Sequence, residues 1–209
     1  QANGAITLGG LVRTLGNVSL VSPTGAIVDR DGGSALDVRA TALRVSAQSM
    51  GTAANPVETR VEDFSALASN GGIFFSNIRS VVLGTVSASI ERVDSTSGTA
   101  PVEDATQSGL VASAGAIVGR ATGEIGVERV QSDASIALTA TGGIFDADEA
   151  SVDLMAPEVS LNAASGIGRN GTGALEIDTD QLELTNTAAG SVYLNLLSTT
   201  TLTGVHLEG

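Results

Sequence analysis

Apolar residues recur along this chain with a period of two. Val18 and Leu20, Leu36 and Val38, Leu43 and Val45, Ile136 and Leu138, Val152 and Leu154, Val159 and Leu161, and Leu182 and Leu184 are each separated by one residue, mostly small or polar. Alternation of this kind turns one side of an extended strand inward and leaves the other facing water. The runs are short, and they are broken by Asp31-Gly32-Gly33, Asn55-Pro56, Asn70-Gly71-Gly72, Gly142-Gly143 and Asn170-Gly171. Gly and Asn tolerate positive φ, so these are turns. No stretch combines i, i+3, i+4, i+7 apolar spacing with capping residues, so the chain reads as all-β with essentially no α-helix. No run of eighteen apolar residues is present, so no helix is expected to span a membrane.

Sliding the chain past itself reveals an internal repeat. Asn3-Gly4-Ala5-Ile6 meets Thr122-Gly123-Glu124-Ile125, and Asn17-Val18-Ser19-Leu20 meets Ser135-Ile136-Ala137-Leu138. Thr24-Gly25-Ala26-Ile27-Val28-Asp29-Arg30-Asp31 meets Thr141-Gly142-Gly143-Ile144-Phe145-Asp146-Ala147-Asp148. Gly51 meets Gly168, Phe64 meets Leu182, Gly72–Phe75 meets Ser191–Leu194, and Leu83–Val86 meets Leu202–Val205. The offset stays between 117 and 119, as turns of slightly different length between kept strands require. The expected organisation is a first pseudo-repeat over 3–121 and a second, truncated one over 122–209, in one continuous structure. Residues 91–116 break the pattern: apolar content falls, and an irregular surface loop or a binding protrusion is expected there.

Short strands every 8 to 10 residues or so fit two architectures. One is a parallel β-helix, with coils of roughly 22 to 26 residues stacked at the ordinary strand spacing. The other is a tandem of β-sandwich modules. A sandwich usually carries an aromatic anchor such as a buried Trp. Trp is absent here and Tyr occurs once, so the β-helix is preferred, with eight or nine coils.

Composition narrows the function. The net charge is −13, and Lys is absent, so all ten positive charges are Arg. Both features argue against nucleic acid as a partner, because the charge repels phosphate and few rings offer stacking. With no Cys, there is no disulfide scaffold or thiolate chemistry. The chain opens Gln1-Ala2-Asn3-Gly4, and any export signal is expected to lie outside it. Alternation starts near Ile6 and continues to Val205, so uncovered end coils are expected to be stacked upon by flanking repeats or neighbouring copies.

Acidic pairs are the main candidates for chemistry. Asp29 and Asp31 recur as Asp146 and Asp148, followed by Glu149; Asp178 and Asp180 form another pair, and Glu62-Asp63 a further one. Such a pair in a turn suits a solvated edge, a calcium ion held by oxygen ligands, or general acid–base chemistry. Asp29, Asp31, Asp146 and Asp148 are the calcium candidates; no catalytic residue and no organic cofactor is predicted. The calcium nonapeptide Gly-Gly-x-Gly-x-Asp is absent. His206 has no Ser or Cys arranged around it and reads as a surface residue. Arg30, Arg39, Arg44 and Arg60 read as partners in surface ion pairs, and Phe64, Phe74 and Phe75 as core.

Gly16-Asn17-Val18-Ser19-Leu20, Gly25-Ala26-Ile27-Val28-Asp29, Ala54-Asn55-Pro56-Val57-Glu58 and Gly109-Leu110-Val111-Ala112-Ser113-Ala114-Gly115 resemble repeats of giant bacterial surface proteins. Those are filamentous-haemagglutinin-like exoproteins and large biofilm adhesins, and the resemblance covers nearly the whole chain. It implies export to the bacterial cell surface, a parallel β-helix shaft, and a structural or adhesive role in a fibre. It carries no catalytic motif. Glycan or a neighbouring cell surface is the implied further partner. The alternative is a β-helix that binds or degrades polysaccharide, which would need clustered Asp, Arg or Lys and aromatic stacking surfaces.

Overall fold

A computed structural model describes residues 1–93, 98–148 and 152–208, and the side chains of these apart from residues 90–93. The described residues form a parallel β-solenoid of about 9 turns, 55% strand and without α-helix. A 3-10 turn at Gly171–Gly173 is its one helical element. Asp94 to Ser97, within the segment expected to be irregular, and Glu149 beside Asp148 lie outside the described residues.

The core is a set of vertical stacks, one residue per coil. In one stack Ile6, Ile27, Met50, Ile73 and Ile117 lie above one another. Ile136, Val159, Leu182 and Leu202 continue it. Apart from the 44 residues from Ile73 to Ile117, which include an inserted hairpin, the steps of this stack run from 19 residues (Ile117 to Ile136) to 23 (Ile27 to Met50), a little shorter than the 22 to 26 expected. A second stack runs Leu20, Val45, Ala66, Leu110, Val130, Leu154, Ile177, Leu196. Between the ends these positions are nearly inaccessible, with Ile27, Ile73, Ile117, Leu110, Val130 and Leu154 at 0% exposure. Burying such side chains stabilises by about 1.5–3 kcal/mol each. The inward half of the alternation therefore supplies the driving force, and the backbone pairs coil to coil.

Two sheets carry the coils, one of eleven strands and one of nine. In the lower coils the eleven-stranded side holds long strands, Val18–Ser22, Ala42–Ala47 and Asp63–Ala68. The opposite side there is bent in two, Ile27–Asp29 and then Val38–Arg39. In the upper coils the roles exchange. Ser135–Ala140, Glu158–Ala163 and Gln181–Asn186 are long strands of the nine-stranded sheet. The bent side, Ile144–Asp146 then Leu154–Met155, belongs to the eleven-stranded sheet. The pseudo-repeat is thus not a whole number of coils. It spans about four and a half, and moves each strand to the opposite sheet. Ile27 and Ile144 nevertheless share an environment: both are fully buried, and each bridges the next coil, at Met50 and at Ile167.

The segment 91–116 departs from the expected irregular loop. Thr85–Val93 and Thr99–Ser108 pair as an antiparallel hairpin, after which Leu110–Ala112 rejoins the solenoid. The hairpin leaves and re-enters a single coil. Leu83 pairs with Phe64 and Leu110 with Ala66, two positions of one strand, and the Gly109 N–H donates to the Gly84 carbonyl at 2.9 Å. It folds over the outer side of the lower strands: Arg44 Nε donates to the Ala105 carbonyl at 2.8 Å and Gln107 Nε2 to the Val45 carbonyl at 2.9 Å. The outer strand, Thr99–Ser108, is almost wholly exposed. Backbone pairing with its neighbour holds it, so it needs no apolar alternation, and that is why the period-two signal fades there. Arg44 is correspondingly no surface ion-pair residue; it is buried beneath the hairpin.

Candidate functional site: two acidic corners

Where the bent side turns, the chain leaves the sheet and carboxylates gather. At the first corner it departs after Asp29 and returns at Val38. One coil on, it turns at Gly51, whose φ of 60° and close approach to the Phe74 carbonyl admit no side chain, and returns at Val57–Arg60. Asp29 caps the first turn: its Oδ1 accepts from the Asp31 N–H at 3.0 Å and its Oδ2 from the Gly32 N–H at 3.3 Å. Asp37, at the re-entry, accepts from the Glu58 N–H at 3.0 Å through Oδ2. Asp29, Asp37 and Glu58 are exposed by only 3%, 1% and 6%, and one carboxylate oxygen from each lies within 4.8 Å of the others.

The second corner repeats the first about 117 residues later, on the opposite sheet. Asp146 Oδ1 accepts from the Asp148 N–H at 2.9 Å, and Asp153 Oδ2 accepts from the Glu176 N–H at 2.9 Å. Asp146 and Asp153 are buried and Asp148 exposed, with one oxygen of each within 4.8 Å of the others. Gly168 occupies the place of Gly51, at φ 70°.

Burial dominates the electrostatics. It pushes the Asp153 carboxyl up to about 8, helped by Asp146, Glu176 and Asp148 and opposed by the Glu176 N–H. Glu58 rises to about 7 through burial and then the Asp37 and Asp29 charges, and Asp37 to about 6 through burial against the Glu58 N–H. Among the described residues, the buried side-chain oxygens that lack any hydrogen-bond partner are Glu58 Oε2 and Asp153 Oδ1. Other buried polar groups are satisfied. Asn77 takes donors from Thr59 and Val61 and gives to the Val61 and Arg79 carbonyls, and Asn186 bonds Gly166, Ala188 and Gly190.

The structure gathers Asp29, Asp146 and Asp148 of the sequence candidates into these clusters. Asp31 stands outside: it lies past the strand's end, exposed, with Oδ1 taking the Gly33 N–H at 3.2 Å. Asp37, Glu58 and Asp153 were not singled out by sequence. Asp37 and Asp153 each immediately precede an inward apolar residue, Val38 and Leu154, at nearly the repeat offset, and that recurrence was their one available signal. Asp178 and Asp180 face an open groove with Asp133 and Pro157. Glu62 pairs with Arg79 at 2.9 Å, and His206 with Glu208 at 3.1 Å on the surface. Arg169 lies 3.8 Å over the Phe145 ring and 3.5 Å from Glu124. No family model matches this chain, and no curated protein or solved structure shows a match to it.

Proposed function

We propose that this chain is a shaft segment of an extracellular, adhesive fibre of a bacterial cell surface, a structural module and not an enzyme. The observation that supports this most is the unbroken stacking of the interior, in which Ile6, Ile27, Met50, Ile73, Ile117, Ile136, Val159, Leu182 and Leu202 lie one above another from coil to coil. Leu202, Val205 and Leu207 occupy the positions above Leu182, Leu184 and Asn186, yet are 56%, 52% and 54% exposed. Their counterparts one coil below are at 0%, 5% and 0%. A face of this kind, apolar and edged by backbone groups open to pairing, is suited to receive a further coil. Stacking of one end upon another does not close on itself, so it propagates into a fibre. The repeat motifs that resemble filamentous-haemagglutinin-like proteins point the same way. Five of the six carboxylates in the two clusters are buried, and none of the six lines the open groove beside Asp133, Asp178 and Asp180.

The test is end-to-end association of the chain. Light scattering against concentration, with electron microscopy of the same samples, is expected to show rods that lengthen with concentration. Leu202→Glu with Val205→Glu is expected to leave single particles. A chain that stays monomeric at high concentration, with the amides of Thr201–Leu207 protected from hydrogen exchange, would overturn the reading.

A further inference from the structure

We propose that each acidic corner binds a divalent hard cation of the calcium class, held at the first by Asp29, Asp37 and Glu58 and at the second by Asp146, Asp148 and Asp153. The inference does not depend on the shaft reading. It starts from a deficit. Glu58 is 94% buried and Asp153 wholly so, and each presents a carboxylate oxygen with no donor. Both oxygens belong to side chains already crowded by two further carboxylates. An isolated buried carboxylate costs several kcal/mol, and adjacent like charges add to that. The usual remedy is an Arg. Here the described ion pairs are Arg79 with Glu62, Arg169 with Glu124, and His206 with Glu208, and none reaches Asp29, Asp37, Glu58 or Asp153.

A cation supplies what the protein does not. Calcium takes oxygen ligands at about 2.3–2.6 Å in flexible geometry. Two oxygens on one such ion are separated by at most about 4.6–5.2 Å, and each set of three lies within 4.8 Å. Magnesium demands near-ideal octahedral geometry at about 2.0–2.1 Å and dehydrates reluctantly, so a buried, all-carboxylate corner favours the larger ion. The remaining hydrogen bonds hold the ligands in place. The Asp31 and Gly32 N–H groups orient Asp29, and the Glu58 and Glu176 N–H groups donate to one oxygen of Asp37 and of Asp153; the other oxygen of Asp153 has no donor, and the Asp37 carboxyl also shares a hydrogen bond with the Glu58 carboxyl, whose Oε2 is left without one. At the first corner Asp29 and Asp37 come from one coil and Glu58 from the next, so an ion there fastens neighbouring coils together. Asp29 and Asp37 recur as Asp146 and Asp153 on the opposite sheet, while the third carboxylate differs, Glu58 of the next coil at the first corner and Asp148 of the same turn at the second.

The experiment uses the whole chain, stripped with EDTA and dialysed, and titrated with calcium chloride by calorimetry at pH 8, with magnesium chloride as a second arm. The expected result is two calcium ions per chain, with magnesium at least about tenfold weaker, and a Tm higher by about 5–10 °C for each ion bound at a hundredfold excess over Kd. Glu58→Gln is expected to bind one ion, Asp153→Asn one, and the double variant none, while Asp178→Asn with Asp180→Asn keeps both. In EDTA at pH 8 each single variant is expected to melt above the parent, because it removes a buried charge; a purely structural carboxylate would show the reverse. Absence of uptake at millimolar calcium, equal affinity for magnesium, or uptake unchanged in the double variant would overturn the proposal. Uptake of a single ion would overturn the corner whose variant leaves that uptake intact. Should a variant fail to fold by circular dichroism, the parent's uptake and its Tm difference between calcium and EDTA decide.

Discussion

Gly119→Ala offers a sharp check on the stacked core, because local preference and packing predict opposite signs. Gly119 lies mid-strand in Ile117–Ala121, between Phe75 in the coil below and Leu138 in the coil above. Its φ is not in the left-handed region, so the backbone would accept any residue. On propensity alone, Gly in a strand interior is worse than Ala by about 0.5–1 kcal/mol, and the substitution should stabilise. The stack says otherwise. A Cβ at 119 would sit 2.4 Å and 2.5 Å from ring carbons of Phe75 and 3.1 Å from Leu138 Cδ2. The ring cannot swing clear: Phe75 is 1% exposed and locked edge-on against Phe64, centroids 5.0 Å apart at 74°. Overpacking of this kind costs about 1–3 kcal/mol, and contacts as short as these belong at its upper end, about 2–3 kcal/mol, which outweighs the propensity gain for a net loss of about 1–2.5 kcal/mol. Guanidinium unfolding followed by far-ultraviolet circular dichroism measures it. The double variant Gly119→Ala with Phe75→Leu is expected to recover most of the loss beyond what Phe75→Leu costs alone, since the shorter side chain vacates the space the methyl needs. A Gly119→Ala chain as stable as the parent or more so, or an additive double variant, would refute the stacked-residue account of the interior.

Further outcomes follow from the same structure. In EDTA, stability should fall as pH rises from about 4 to about 8, because Asp37, Glu58 and Asp153 hold protons in the folded state that the unfolded chain has released; the contribution is complete below their unfolded value of about 4 and lost through about 6, 7 and 8. Thermal melts across that range check it, Asp153→Asn should flatten the upper part, and a Tm that climbs with pH would contradict it. Phe64→Ala should cost about 3–5 kcal/mol in chemical unfolding, against about 2–5 for Leu182→Ala at the matching repeat position, since both side chains are fully buried; a loss under 1 kcal/mol would argue against burial. Deleting 86–107 and joining Thr85 to Ser108 should leave a cooperative solenoid, weakened by about 1–3 kcal/mol for the lost burial of Val86, because the Gly84–Gly109 bond already closes the coil. Loss of the β-type circular dichroism signal would instead make the hairpin part of the folding core.

Period-two alternation was enough to specify strands, their inward faces and the absence of α-helix, because a side chain's choice between core and water is settled by its immediate neighbours. Val18, Leu43, Val159 and Leu182 are buried where that alternation places them. In the sequence Ile27-x-Asp29 recurs as Ile144-x-Asp146, and in the structure both isoleucines are fully buried. What local pattern does not contain is how coils of unequal length stack. That stacking carries the repeat across to the opposite sheet, a consequence of its spanning about four and a half coils. It also puts the hairpin over Arg44, which the sequence did not announce, because Thr99–Ser108 is held by backbone pairing and its few apolar residues stay largely exposed. The corners show the division most plainly. Asp29 announces itself beside Asp31, but its true neighbours are Asp37, eight residues on, and Glu58, a full coil away. Only the parallel register that sets Val38 against Thr59 brings those carboxylates within reach of a single ion.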